Sequence, residues 1–170
     1  MADFIESLGV AFFAHRLRRL SEALVDNGRR SLPDLGITAP PKAGSTLMLL
    51  AAEGPLTVTQ IAARLRLSHP LIIKLVRELD RLGLARAQQD PNDGRRRPVA
   101  LTPAGRRQAE RMVEVNRLLA ESYRSLFAEA GFDGMAAVEA IERVLARRGL
   151  TANDAPAEAA SLADPNTRKI

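Results

Sequence analysis

The stretch TVTQIAARLRLSHPLIIKLVRELDRLGL, residues 57–84, decides the fold. Thr57-Val58-Thr59-Gln60 has the spacing of a capping box, in which a Thr hydroxyl and a Gln amide each satisfy a backbone N–H of the other. It opens a short helix over 57–66 with Ile61, Ala62 and Leu65 turned inward. Ser68 is a good N-cap for a second helix, and Pro70 lies in its first turn, where a missing N–H costs little. That helix runs to about Leu82, and Gly83 ends it. Only Arg66-Leu67 separates the two. Two short helices joined so tightly predict a helix-turn-helix.

The angular arrangement of the second helix predicts its role. At about 100° per residue, Leu75, Val76 and Leu79 fall beside Ile72 and form the stripe expected to be buried. Pro70, Lys74, Arg77 and Arg81 fall on the opposite side, with no acid among them; Glu78 and Asp80 lie off that ridge. A merely solvated face usually interleaves Glu with Lys. A helix in a DNA major groove instead needs cations that neutralise phosphates and reach guanine O6 and N7. Lys74, Arg77 and Arg81 are therefore the expected DNA contacts, with Ser68, His69 and Pro70 at the leading end. His69 either touches phosphate or base, or is a solvent-exposed first-turn residue. Leu71 and Ile73 flank the ridge. They either meet thymine methyl groups or pack on the preceding helix or the hairpin.

Working outward, Leu84–Gln89 and Pro98–Leu101 read as two extended runs around the turn DPNDGRRR, residues 90–97. This is a β-hairpin with a basic tip. Arg95, Arg96 and Arg97 are expected to enter a minor groove or meet phosphate, and Asp93 to pair with one of them and aim it. Before the motif, residues 40–53 read as a helix with Ala43, Leu47 and Leu50 in register, and 28–41 as a loop. Residues 3–27 read as one helix with two stripes. Phe13, Leu17, Leu20 and Leu24 form one, and Ile5, Leu8 and Phe12 the other, so it should touch both its own core and something else. After the hairpin, Thr102 and Pro103 supply an N-cap and first helical residue. A helix about 40 Å long follows, longer than a small domain needs. Its stripe is Ala109, Met112, Val113, Leu119, Ala120, Tyr123, Leu126 and Phe127. Asp133-Gly134 starts a last helix with Met135, Val138, Ile141 and Leu145 on one side. Residues 151–170, rich in Ala, Asp, Pro, Asn and Ser, read as a disordered tail.

Composition narrows the function. The chain has 170 residues with 25 Lys plus Arg against 20 Asp plus Glu, a net +5. The charge is uneven: residues 60–111 carry +7 and the remainder −2. A basic middle third between near-neutral helical arms points to a polyanion. Cysteine is absent, which excludes disulfides, thiolate metal sites and thiol redox sensing. The two histidines, His15 and His69, have no metal-ligand spacing, so no metal is expected. No nucleophile-base arrangement or phosphate-binding glycine fingerprint stands out, so neither catalysis nor a cofactor is expected. Aromatics are 4% and Trp is absent, too few for a single-strand stacking platform. The start, MADFIESLGV, has no basic n-region, and no window of about 18 apolar residues occurs. A soluble cytoplasmic protein that avoids the membrane is the expectation.

The terminal helices carry more apolar surface than the winged core can cover. Ile5, Leu8, Phe12, Leu119, Tyr123, Leu126, Phe127, Val138, Ile141 and Leu145 are the expected homodimer interface; the alternative is a closed monomeric bundle. Two winged domains reading half-sites about 34 Å apart gain affinity and symmetry. The fold class is therefore mainly α: a winged helix-turn-helix with a small antiparallel β-hairpin, flanked by dimerisation helices. Residues 1–30 and 103–148 form the helical dimerisation region, 37–102 the winged DNA-binding domain and 149–170 the tail.

The segments LTVTQIAARLRLSHPLIIKLVRELDRLGL and DPNDGRRRPVALTPAG resemble the winged core of the MarR (multiple antibiotic resistance regulator) family. The second holds the family's wing signature, D-x-R, as Asp93-Gly94-Arg95, followed by Leu101-Thr102-Pro103-Ala104-Gly105. The flanking helices fit the family in order and length. The resemblance implies a homodimeric regulator of transcription, often a repressor relieved by a small organic ligand. It also implies that the helix from Ser68 lies in the major groove and the Arg95 wing in the minor groove. An effector cleft would fall at Phe12, His15, Arg16, Lys42 and Thr46. The chain departs from the family at Leu71 and Ile73, where Thr or Ser is usual, and at Glu78 and Ala87, where Arg is usual. A non-specific architectural DNA binder and a winged-helix protein-interaction module are the alternatives.

Overall fold

The computed structural model describes residues 3–89 and 97–150. The expected wing tip, with Asp93, Arg95 and Arg96, and the tail from 151 onward lie outside the described residues. The chain divides into two compact units between Glu121 and Ser122.

In the first unit, α1 (Phe4–Ser7) and a 3-10 turn (Gly9–Phe12) lead into α2 (Phe13–Ser31). A second 3-10 turn (Pro41–Ala43) precedes α3 (Gly44–Glu53), α4 (Val58–Leu65) and α5 (His69–Arg81). Strands β1 (Ala85–Ala87) and β2 (Val99–Leu101) follow, then α6 (Pro103–Ala130), whose last turns belong to the second unit. β1 and β2 are antiparallel, with Ala85 opposite Leu101 and Ala87 opposite Val99. Leu56 adds a rung: its N–H donates to Val99 O at 3.1 Å, and Val99 N–H donates back at 2.8 Å. The link between α3 and α4 is thereby tied to the hairpin.

The core lies where these elements meet. Leu47 and Leu50 of α3, Ile61 of α4, and Ile72, Leu75 and Leu79 of α5 are buried together with Val99, Ala109 and Met112. Each large aliphatic side chain buried here stabilises the fold by about 1.5–3 kcal/mol. The expected capping box is present: Thr57 N donates to Gln60 Oε1 at 2.9 Å and Gln60 N to Thr57 Oγ1 at 3.3 Å.

Four expectations are corrected. Residues 3–27 are not one helix. Asp3 caps α1 by accepting from Ile5 N at 2.8 Å, and Gly9 then takes φ +65°, which breaks the helical path. Gly28 does not start the loop: α2 continues to Ser31, and Gly28 faces Leu119 Cδ2 of α6. Pro33, which has no N–H to offer the Arg29 carbonyl, ends the helix instead. The stripe Phe13, Leu17 and Leu20 does not face the unit's own core. All three are exposed, and of the apolar side chains on α2 only Leu24 and Val25 are half-buried. On α6, Val113 is exposed and Val115 is buried, because the inward seam runs through Gly105, Gln108, Ala109, Met112 and Val115.

The second unit contains the end of α6 and α7 (Gly134–Arg148). Asp133 caps α7 by accepting from Ala136 N at 3.0 Å. Tyr123, Phe127 and Phe132 form a row of rings 6.3 and 6.4 Å apart. Residue 134 has no room for a Cβ beside the Phe127 ring. No residue of α7 is buried. Among the described residues, no helix is long and apolar enough to cross a membrane.

Candidate nucleic-acid interface

Helix α5 is held from beneath and free above. Ile72 and Leu79 are fully buried, Leu75 nearly so, and Val76 is half-buried. Pro70, Lys74, Arg77 and Arg81 are all exposed on the other side. Among the described residues, none of the three cations is in an ion pair. By contrast Arg64, on α4, is bound through Nε and Nη2 to Glu53 of α3, and the carboxylate raises its pKa further. Ile73 and Glu78 are half-buried, whereas Leu71 is exposed. Ser68 stands at the N-cap position with extended backbone, but its side chain makes no capping bond. Pro70 removes one of the N–H groups that a capping hydroxyl would take. His69 is exposed beside it.

The far end of α5 is fastened to α6. Gly83 takes φ +68°, and the chain turns so that Leu84 N donates to Leu79 O at 2.8 Å. Thr102 then closes the junction. Its Oγ1 donates to Gly83 O at 2.6 Å and accepts from Gly105 N at 3.1 Å, while its N–H donates to Leu84 O at 3.0 Å. A Cβ on Gly105 would run into the Leu84 carbonyl, so α6 can approach this closely only with glycine there. One turn on, Gln108 is buried. Its Oε1 accepts from Thr38 N at 2.8 Å and Ala39 N at 3.3 Å, and its Nε2 donates to Gly36 O at 2.9 Å. Arg111 Nη1 donates to the same carbonyl at 3.0 Å. The first turns of α6 thus grip both the exit of α5 and the connection from α2 to α3. Sequence reading took Thr102 only as a cap and missed Gln108. The available signal was a polar residue on the apolar seam beside Ala109 and Met112.

The hairpin base leaves directly from this junction, and Gln88 N donates to Pro98 O at 2.8 Å. Arg97 is exposed at its margin. The five residues of the implied effector cleft are distributed over two places. Phe12 meets His15 edge-on at 6.5 Å, and Arg16 faces Glu6 at 3.7 Å, all at the start of α2 or just before it. Lys42 is exposed on the second 3-10 turn, and Thr46 is fully buried in α3. Arg16 lines an open groove of about 300 Å³ with Glu6, Arg19, Leu20 and Ala23. A second groove, of about 370 Å³ between α3 and α6, includes none of the five.

Of the expected interface residues, Ile5 and Leu119 are half-buried, and Leu8 and Phe12 are exposed. In the second unit Tyr123 and Phe127 are half-buried; Leu126, Val138, Ile141 and Leu145 are exposed. Several exposed apolar side chains were not expected, notably Phe4 at 73% and Val10 at 89%. Their signal was present in the first ten residues but was hidden by reading them as part of a single helix.

Residues 35–96 match the model of the MarR family. Over that stretch the chain is similar to the MarR family. Its fold recurs in a probable transcriptional regulator from Pseudomonas aeruginosa, with 28% identity and a TM-score of 0.60, over 82% of this chain and 96% of that one. It recurs also in S. aureus MepR, solved as a DNA complex, with 24% identity and a TM-score of 0.63, over 79% and 96%. The MarR family transcription regulator SP03579 has the same fold at 22% identity and a TM-score of 0.55, over 84% and 91%. No curated protein sequence matches this chain significantly.

Proposed function

We propose that this protein is a homodimeric transcription regulator that binds specific double-stranded DNA sites. The observation that carries the reading is the ridge Lys74, Arg77 and Arg81. It is exposed, free of ion pairs among the described residues, and rigidly backed by Ile72, Leu75 and Leu79. Cations held on a helix with no compensating acid neutralise phosphates, and their long arms reach base edges. Ser68, His69, Pro70 and Ile73 would meet the same groove. Arg95, Arg96 and Arg97, aimed by Asp93, would take the neighbouring minor groove. Support comes also from MepR, which shares the fold and was solved with DNA. Two copies joined through their terminal helices would present two such ridges. A small organic effector near Phe12, His15, Arg16, Lys42 and Thr46 would act by favouring a spacing that the operator does not match. We infer a repressor from the resemblance to the MarR family alone.

The test is selection of bound duplexes from a random pool by the full chain. The selected and a random duplex are then titrated at about 150 mM salt. The reading expects at least about a thousandfold preference for the selected site. Equal affinity for both would favour a non-specific architectural binder, to which exposed Leu71 would contribute sequence-tolerant apolar contact. No binding to either would favour the protein-interaction module.

A further inference from the structure

Helices α4, α5 and α6 end with the same pair of backbone hydrogen bonds. At α5, Gly83 N donates to Asp80 O and Leu84 N to Leu79 O, both at 2.8 Å. At α6, Gly131 N donates to Ala128 O and Phe132 N to Phe127 O, both at 3.3 Å. At α4, Arg66 N donates to Ala63 O at 3.4 Å and Leu67 N to Ala62 O at 3.1 Å. This pattern requires a left-handed residue at the turn, which glycine supplies without steric cost. Gly83 and Gly131 do so, at φ +68° and +75°. At α4 the residue is Arg66, at φ +52°, and among the described residues it is the one non-glycine with positive φ. A side chain there brings Cβ against the following carbonyl. The turn of a helix-turn-helix commonly contains glycine, so the fold does not ask for arginine.

What the arginine offers is its head group. Arg66 is exposed, and among the described residues no hydrogen bond or ion pair engages its guanidinium. Two residues earlier Arg64 is spent on Glu53. Two residues later Ser68 stands at the N-cap of α5, whose N-terminal end leads into the groove in the DNA-binding reading. A cation at that point would stand over the groove wall, where the phosphates run.

We propose that Arg66 is a DNA-backbone contact, held in a strained turn because its guanidinium binds a phosphate beside the leading end of α5. This rests on the DNA-binding reading above. A phosphate contact fixes register and adds affinity without reading sequence.

The test uses the full chain, the selected duplex and a random duplex, titrated between about 50 and 200 mM salt. Arg66→Gly relieves the turn, so its Tm should stay level or rise by a few degrees. Its binding should weaken several-fold on both duplexes alike. The slope of log K against log salt should shrink by about one for each bound copy. Arg66→Lys should keep the wild-type slope. The proposal is overturned if the Arg66→Gly line overlays wild type, or if Arg66→Lys loses as much slope as Arg66→Gly. A Tm that drops on Arg66→Gly would also overturn it, since the arginine would then serve the fold. Wild-type protein that binds no duplex would bring down the DNA-binding reading itself, a result distinct from all of these.

Discussion

Helices α5 and α7 carry the same apolar spacing with opposite outcomes. Ile72, Leu75 and Leu79 recur at the intervals of Val138, Ile141 and Leu145. The first three are buried under α3, α4 and the hairpin, whereas the second three are each more than 40% exposed. Period alone says that a face favours burial; it does not say against what. On α5 the partner is within the unit, which leaves the opposite face available for cations. On α7 the described unit supplies no cover, and an apolar face of that size is the signature of an interaction surface. The same holds for Phe13, Leu17 and Leu20 on α2. A second copy of the chain is the occupant that the proposed function requires.

The contrast can be broken most forcefully in the core. Leu79→Ala should cost about 2–5 kcal/mol in denaturant unfolding, with the same loss at every protein concentration. A loss that varied with concentration would mean that α5 too depends on a partner. Next in size, Gln108→Leu takes the shared acceptor from the Thr38 and Ala39 amides, and an amide left buried and unpaired costs about 1–3 kcal/mol, while Gly36 O keeps its bond from Arg111. Hydrogen exchange at Thr38 and Ala39 should quicken markedly; unchanged protection would refute the grip of α6 on this connection. Leu145→Asp should move the protein from dimer to monomer in sizing chromatography. Denaturant stability at low concentration should change by no more than about 0.5 kcal/mol. Retention of the dimer would remove α7 from the interface.

The smallest effect concerns acid. The hydrogen bond from Arg19, then that from Ile5 N–H, holds the Asp3 carboxyl below its usual 3.8. A depressed carboxylate contributes stability above its unfolded pKa and loses it as pH falls through the folded value. The first turn should therefore loosen slightly below about pH 3.8, and Asp3→Asn should lack this step. Asp3 touches only the N-terminal arm, so an acid transition that reached the winged core would have another cause.

Much of the winged core was legible because its signals are local. The capping box at Thr57-Gln60, Gly83 after α5 and Thr102-Pro103 before α6 each act within four residues. The basic ridge was legible for the same reason, since angular position along one helix fixes which side chains share a face. The misreadings have non-local or competing causes. Gly28 looked like a breaker, but α2 passes through it facing Leu119, ninety-one positions away in sequence. Gln108 acts on Gly36, Thr38 and Ala39, and nothing near it in sequence announces those partners. Gly9 sat within an apparently continuous stripe, so its break was overlooked. Arg66 reads only as one of two residues in a short turn, because its backbone geometry becomes evident only when the two helices are seen to close on it.

The central claim is that the ridge on α5 meets DNA phosphates and bases. Binding of the selected duplex by wild type and by the triple variant Lys74→Ala, Arg77→Ala, Arg81→Ala, followed across salt, tests it most directly. Each cation occurs twice in a dimer, so the slope of log K against log salt should fall by about five, with sequence preference largely lost and Tm unchanged. Superimposable lines for the two proteins, with the preference intact, would contradict it.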